Sequence, residues 1–417
     1  MVMVILWVAS EKSPLAIPGG KKEDGPRPRR SFHLRAAVII CLLVASGSTY
    51  YSFFACFFLL VAGVLGSMRR RRLGPLFVAG GLAGVICLGA VLNFTPSLYH
   101  GYKNGRNPEV AHRSYAHAEL YGMKISQLLL PIQHHRWSFF AEFKDRYNKS
   151  APLANENDVS SFGFIGSIGF LLLIAAVFSD RLRSWDAEIH SLSYLNLSGI
   201  LLATIGGFST LVAFFFPHIR AYNRISVVLA FFALLAFSLG LEKLFPKVGQ
   251  GRRKVLGAFC LLLLGIGILD QTSPFFTPPH EKNKIRHAQQ AAFIGQVESR
   301  MPPRAMIFQL PYVPFPENPP LHRMEDYEHL GGGYLYSKEL RWSYGAMKGR
   351  AGDAWQKFAV SQPVGEFLEM ICRVGFEGLY IDRYGYEDGA LSWRKSVPNF
   401  CGCLRWWPAI SATSFTP

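Results

Sequence analysis

The stretch Pro217-His218-Ile219-Arg220-Ala221-Tyr222-Asn223-Arg224 sets two arginines and a histidine between two long apolar runs. Arginine presents a rigid fork of donors that matches phosphate oxygens, so Arg220 and Arg224, with His218 beside them, are suited to a lipid phosphate or diphosphate. Plain anchoring to anionic headgroups is the competing reading. A second polar group, Asn155-Glu156-Asn157-Asp158, directly precedes another apolar run. Carboxylates and amides there would take paired hydrogen bonds from sugar hydroxyls, as a headgroup or sugar site requires. His134 and His135, followed by Arg136, are either metal ligands together with nearby carboxylates or ordinary interfacial residues. In Leu340-Arg341-Trp342-Ser343-Tyr344-Gly345 one cation stands among aromatic rings. Trp342, Tyr344 and Trp355 would stack on a sugar while Glu325 and Asp326 hold its hydroxyls, or they pack their own loop.

Composition says what must carry these residues. The chain has 417 residues, 50% of them hydrophobic and only 17% charged, which is well below the ionic surface of a soluble domain. Lys and Arg number 44 against 28 Asp and Glu, a net +16, yet long uncharged runs exclude a nucleic-acid-binding domain. The apolar content excludes disorder, and 7 cysteines in so long a chain exclude a disulfide scaffold. A polytopic α-helical membrane bundle remains, with about six to seven transmembrane helices.

The predicted spans are two arms within 36–67, hinged at Gly47-Ser48-Thr49-Tyr50-Tyr51, and then 75–93, 162–178, 195–216, 225–241 and 255–269. Basic residues collect in short cytoplasmic loops, and the run Arg69 to Arg72 sets the sidedness. Alternation then puts Arg181, Arg183, the cluster Lys243, Lys247, Arg252, Arg253 and Lys254, and the basic N-terminal segment on the same side. The expected organisation is a cytoplasmic linker at 1–35, a bundle at 36–270 with an outer loop at 94–161, and an extracytoplasmic α/β domain at 271–417. Met1 to Ala9 matches neither a signal peptide nor a full span and reads as the remnant of a longer upstream region.

Within the outer loop, Ala118, Tyr121, Ile125, Leu128 and Leu129 form a helical stripe stopped by Pro131, which predicts an interfacial amphipathic helix over 114–130 with Glu119 on another face. Beyond Asp270, helical spacing over 281–301 leads to a strand at 305–310, and a helix at 364–374 leads to a strand at 376–382, an α/β rhythm. Gly331-Gly332-Gly333 lacks the lysine of a phosphate loop. Cys401 and Cys403 are too close for a relaxed zinc pair, and the end of the chain from Cys401 breaks the α/β rhythm.

The order of features resembles that of bacterial multi-span membrane glycosyltransferases of the GT-C type. The features are Tyr50-Tyr51-Ser52-Phe53-Phe54 opening a span, Ala118-Glu119-Leu120-Tyr121-Gly122 before Gln127-Leu128-Leu129-Leu130-Pro131, Asn155-Glu156-Asn157 before Gly163, and Arg224-Ile225-Ser226 opening another span. The resemblance covers roughly residues 36–388. It implies a cell-envelope transferase of the bacterial inner membrane. Such a protein moves a sugar from a polyprenyl-phosphate carrier, with inversion, on the extracytoplasmic side. Membrane lipid and the lipid-linked sugar would be its partners, and the cofactor is left open, a divalent cation included. The family's key acid normally sits in the first outer loop, but the turn at Gly47 to Tyr51 has no carboxylate. Either the chain is an incomplete copy that has lost the catalytic part, or Glu119 or Glu156 serves instead. His218, Arg220, Arg224, Asn155, Arg341 and Trp342 are the expected substrate contacts. A non-enzymatic carrier of lipid-linked sugars and an inactive fragment are the alternatives.

Overall fold

The computed structural model describes residues 1–11, 13–15, 28–110, 113–153, 155–183, 186–245, 250–324 and 329–396. They form two compact units: a helical one of residues 1–103 and 112–277, and a smaller one of residues 104–111 and 278–417.

The helical unit contains α1 (Val2–Ala9), α2 (Pro28–Ala45), α3 (Thr49–Arg70), α4 (Gly74–Asn104), α5 (Ala116–Leu120), α6 (Ile125–Leu129), α7 (Ser138–Ser150), α8 (Gly163–Phe178), α9 (Asp180–Arg183), α10 (Ala187–Ala203), α11 (Phe208–Phe215), α12 (Ser226–Leu244) and α13 (Gln250–Gln271). Among the described residues four helices, at Thr49–Arg70, Gly74–Asn104, Tyr222–Leu244 and Lys254–Gln271, are long and apolar enough to cross a membrane, as in a multi-pass membrane protein. The last of these buries none of its apolar window inside the protein. Leu261 is 69% exposed and Leu262 61%. So large an apolar face in water would be a severe liability, and lipid is the solvent that suits it.

Small residues let the helices approach. A Cβ added at Gly169 of α8 would fall 1.9 Å from the Ala233 carbonyl oxygen of α12, and one at Gly63 of α3 would fall 2.7 Å from Ala79 Cβ of α4. Without water to drive apolar association, such close backbone packing is the main source of helix adhesion in lipid. Around these seams Phe54, Phe58, Phe170, Phe232 and Tyr222 are fully buried.

Two expected helices divide here, and the short segment at the start of the chain takes a defined structure. The segment Met1 to Ala9 is a buried helix packed on α3, with Val4, Ile5, Val8 and Ala9 in the core. Gly66 admits its close approach to the Val8 carbonyl, and the Arg70 guanidinium donates to the Ser10 carbonyl at its C-terminal end. The expected span 195–216 is two helices, α10 and α11. Gly206 at φ +74° and Gly207, where any Cβ would strike the Leu201 and Thr204 carbonyls, form the break. The amphipathic helix expected over 114–130 is two single turns, α5 and α6. The chain between them pairs with the backbone after α10: Met123 N donates to Ala203 O at 2.7 Å and Ile205 N to Met123 O at 3.2 Å. The helix α2 also begins before Ala36, and residues 12 and 16–27 of the expected linker lie outside the described residues.

The smaller unit holds α14 (His280–Arg300), β1 (Met306–Leu310), α15 (Gly332–Tyr336), β2 (Arg341–Trp342), α16 (Ala351–Val360), α17 (Val364–Val374), β3 (Phe376–Ile381) and α18 (Leu391–Ser396). Its three strands are parallel in the order β2-β1-β3. Parallel pairing requires crossovers, which α15 and then α16 and α17 supply. Alternation along β1 sends Phe308 and Leu310 to a core with Phe367, Leu368, Ile371 and Phe376. Ile307 goes to the opposite face, among Ala305, Leu340, Val297 and Tyr380. Each fully buried side chain of this size contributes roughly 1.5–3 kcal/mol. Gly375, left-handed at φ +102°, ends α17 and turns the chain into β3.

The stretch 104–111 belongs to this unit through its hydrogen bonds. Arg350 donates to the Asn104 and Gly105 carbonyls at 3.0 and 3.3 Å, and Asn107 Nδ2 donates to Lys348 O at 2.8 Å. Cys372 is disulfide-bonded.

Candidate functional site

The turn between α11 and α12 is the one the sequence marks out. Its residues 222–225 form a single 3-10 turn that leads straight into α12. Tyr222 is its anchor, fully buried with its ring 5.9 Å from Phe53 and 6.3 Å from Phe54 of α3. Asn223 N donates to Tyr121 O at 3.2 Å, tying the turn to the end of α5. With residues 222 and 223 fixed, the arginines on either side are aimed by their aromatic neighbours. Arg220 lies over the Tyr121 ring with its Cζ 5.0 Å from the centroid, and Arg224 lies over Tyr50 at 4.8 Å.

A guanidinium lying on a ring keeps its in-plane N–H edge for another partner. Among the described residues Arg220 has no hydrogen-bond acceptor, and Arg224 has only the Glu156 carboxylate, 3.7 Å from Nη2. Arg113 adds a third cation: its Nη1 donates to the His218 carbonyl at 2.7 Å. The His218 ring leans on Phe216, with centroids 5.1 Å apart. Three guanidinium groups and one carboxylate therefore surround a single turn. Nothing in the sequence singles out Arg113, which stands at the end of a polar Gly- and Pro-containing stretch. There Tyr50 reads as part of a hinge and Tyr121 as part of an apolar helical stripe, neither as a support for an arginine.

The two candidate acids differ. Glu119 is saturated, with Oε2 accepting from Gly206 N at 2.9 Å and Oε1 from Thr210 Oγ1 at 2.7 Å. It holds the first turn of α11 in place. Glu156 is half exposed, and among the described residues its side chain meets only Arg224. The turn that carries it is pinned on both sides. Asn155 Nδ2 donates to Leu120 O at 2.5 Å, Asn157 Nδ2 to Gly122 O at 2.9 Å, and Lys124 N to Asn157 Oδ1 at 3.2 Å. Asn155 thus supports the site through the backbone of α5.

Elsewhere the polar residues of the outer loop are committed to the fold. His135 Nδ1 accepts from Trp137 N at 3.1 Å, so its ring proton sits on Nε2 and faces Asp270 Oδ1 at 3.3 Å. Asp270 Oδ2 accepts from Phe164 N at 2.8 Å and caps α8. His134 stacks on Phe275 at 3.7 Å, and Arg136 Nε donates to Thr272 O at 2.9 Å. Lys144 is buried on α7 and donates to Gln127 Oε1, whose Nε2 donates to Asn148 Oδ1 at 2.9 Å. Burial lowers its pKa to about 8, with Asp158 opposing the shift. No group of three or more His, Cys, Asp or Glu suited to a metal ion occurs among the described residues.

In the smaller unit, Arg341 is exposed and its backbone N donates to Ala305 O at 2.9 Å. Trp342 Nε1 donates to Ser337 Oγ at 2.7 Å while its ring covers Gly333, and Trp355 stacks on Phe376 at 6.2 Å. Tyr344 N donates to Oε1 of the buried Gln309 at 3.1 Å. These aromatic residues have packing partners. Tyr312 donates to the buried Asp353 carboxylate at 2.5 Å, and burial together with that bond raises the Tyr312 pKa. Glu325, Asp326, Cys401 and Cys403 lie outside the described residues.

No family model, curated protein or solved structure matches this chain, so the geometry of the site is what any functional reading must rest on.

Proposed function

We propose that this chain is a multi-pass protein of the bacterial inner membrane that grips the phosphate of a polyprenyl-linked sugar on the extracytoplasmic side. There it acts as a GT-C-type glycosyltransferase. The observation that carries the reading is the pair of guanidinium groups over the Tyr121 and Tyr50 rings, Arg220 with no hydrogen-bond acceptor among the described residues and Arg224 with only the exposed Glu156 carboxylate 3.7 Å away. Arg113 beside them brings the cationic count to three. That arrangement suits an anion with several oxygens better than a lone carboxylate.

Sidedness rests on the basic loops: the alternation set by Arg69 to Arg72 puts the segments after α4 and after α13 outside, with six or seven crossings. A disulfide at Cys372 fits an oxidising compartment outside the cytoplasm.

In this reading Arg220 and Arg224 stabilise the departing lipid phosphate, which leaves with the electron pair of the broken C1–O bond. A carboxylate takes the acceptor hydroxyl's proton as the new C1–O bond forms on the opposite face of the sugar. Glu156 is better placed for that role than Glu119, whose oxygens are both occupied. A carrier that holds the lipid-linked sugar without transferring it is the second reading. It is favoured by the contact of Glu156 with Arg224, which leaves no unengaged acid at the turn.

The test is binding of the purified full chain, in lipid nanodiscs, to polyprenyl phosphate and to the uncharged polyprenol. Replacing both arginines (Arg220→Ala, Arg224→Ala) removes two charge-assisted contacts of about 1.5–3 kcal/mol each, so affinity for the phosphate should drop at least about a hundredfold. Binding of the uncharged polyprenol should not change. Equal phosphate affinity in the double variant would remove the proposal.

A further inference from the structure

We propose that Glu156 is the resident counter-ion of Arg224, a carboxylate that occupies the anion seat and is displaced when a phosphate arrives. This rests on the reading of Arg220 and Arg224 as phosphate contacts and adds to it a regulation of the same site.

Four observations lead there. First, the contact is an ion pair without a hydrogen bond: Glu156 Oε2 and Arg224 Nη2 are 3.7 Å apart, with side chains 50% and 45% exposed. A solvent-exposed pair of this kind shifts an equilibrium by no more than about fivefold, so an anion making bidentate charge-assisted bonds outcompetes it. Second, the backbone on both sides of Glu156 is fixed through Asn155 and Asn157, and no other hydrogen bond to the Glu156 side chain occurs among the described residues. The side chain can therefore leave without disturbing its turn. Third, Tyr50 holds the face of Arg224, so the guanidinium keeps its position when its edge changes partner. Fourth, the other candidate acid is locked into the start of α11, so exchange of this kind is confined to Glu156.

Two consequences follow for the site. Weak, monodentate anions must compete with a tethered carboxylate, so the turn is selective for anions that engage more than one donor. Glu156 also becomes unpaired only when the phosphate is seated, which would put a proton acceptor beside the donor sugar at the moment it is required.

The experiment measures binding of polyprenyl phosphate in nanodiscs, and of inorganic phosphate, to the full chain. Glu156→Gln keeps the shape and removes the competing charge, and it should bind both probes about two- to fivefold more tightly than the unaltered protein. Asp158→Asn removes a charge on the same turn that makes no contact with Arg224, and it should bind as the unaltered protein does. In an Arg224→Ala background the gain from Glu156→Gln should vanish. The counter-ion proposal is overturned if Glu156→Gln binds no more tightly, if Asp158→Asn gives the same gain, or if the gain persists without Arg224. Should Arg220→Ala with Arg224→Ala leave binding unchanged, the phosphate reading itself fails. Should that pair weaken binding while Glu156→Gln does nothing, only the counter-ion role is lost.

Discussion

The cluster around His135 and Asp270 and the turn carrying Arg220 and Arg224 are made of the same residue types, yet they end in opposite states. In the first, the hydrogen-bonding groups are spent internally. Asp270 caps α8 and receives the His135 proton, Arg136 donates to Thr272, and Ser273 Oγ donates to the His134 carbonyl at 2.5 Å. In the second, aromatic rings take the arginine faces, and the only acceptor for either guanidinium among the described residues is the exposed Glu156 carboxylate, 3.7 Å from Arg224. The lesson is that a polar cluster at the end of a bundle is a site only to the extent that its directional groups are unspent. A cation held by a ring is unspent in a way that a cation held by a carbonyl is not.

The comparison can be broken most sharply at Asp270. If the first cluster is structural, Asp270→Ala leaves Phe164 N and His135 Nε2 unpaired and should cost about 1–3 kcal/mol, read as a lower unfolding temperature of the detergent-solubilised chain, with phosphate binding unchanged. Loss of phosphate binding at unaltered stability would reverse the two assignments.

Lys144 offers a smaller effect that sharpens the same contrast. Its folded-state pKa, near 8, lies below the ordinary lysine value of 10.5, so the unfolded chain binds the proton more tightly between those values. The stability tied to this group is fully present above 10.5 and is lost as pH falls toward 8. Unfolding experiments should show a rise of roughly 1–2 kcal/mol between pH 8 and 10.5, and Lys144→Met should flatten that slope. A slope unchanged in the variant would mean that other groups produce it.

The smallest effect belongs to the rings. Tyr121→Leu removes the aromatic face under Arg220 while preserving bulk, and at about 0.5–1 kcal/mol for an exposed cation–π contact it should weaken phosphate binding about two- to fivefold. Stability should hardly move. An unfolding temperature lowered as far as in Asp270→Ala would make Tyr121 part of the scaffold.

Much of the fold can be read from residue order because lipid and backbone satisfaction leave few options. Charge-free runs between arginine clusters announce α3, α4, α8, α12 and α13, and Gly375 announces the end of α17. What escaped were features decided by pairing across the chain. The break between α5 and α6 depends on Met123 bonding to Ala203 and Ile205, two residues more than 75 positions away. The helix α7 carries Phe139, Phe140, Phe143 and Tyr147 at helical spacing, a pattern hidden among its charges. The strand β2, only two residues long, has too little sequence for any period to register. At the site, the arginine pair was legible from residue type and position alone. The rings beneath it and the third cation, Arg113, required the tertiary fold.

The smaller unit is sewn from two pieces of chain, 104–111 and 278 onward, with most of the helical unit between them. During synthesis the first piece emerges long before the strands it will serve, and Arg350, which grasps Asn104 and Gly105, is made only after α13. Completion of this unit is thus a late event in synthesis, after α13 has been made. A version of the unit begun at Pro278 would lack the strap that Arg350 and Lys348 are shaped to receive.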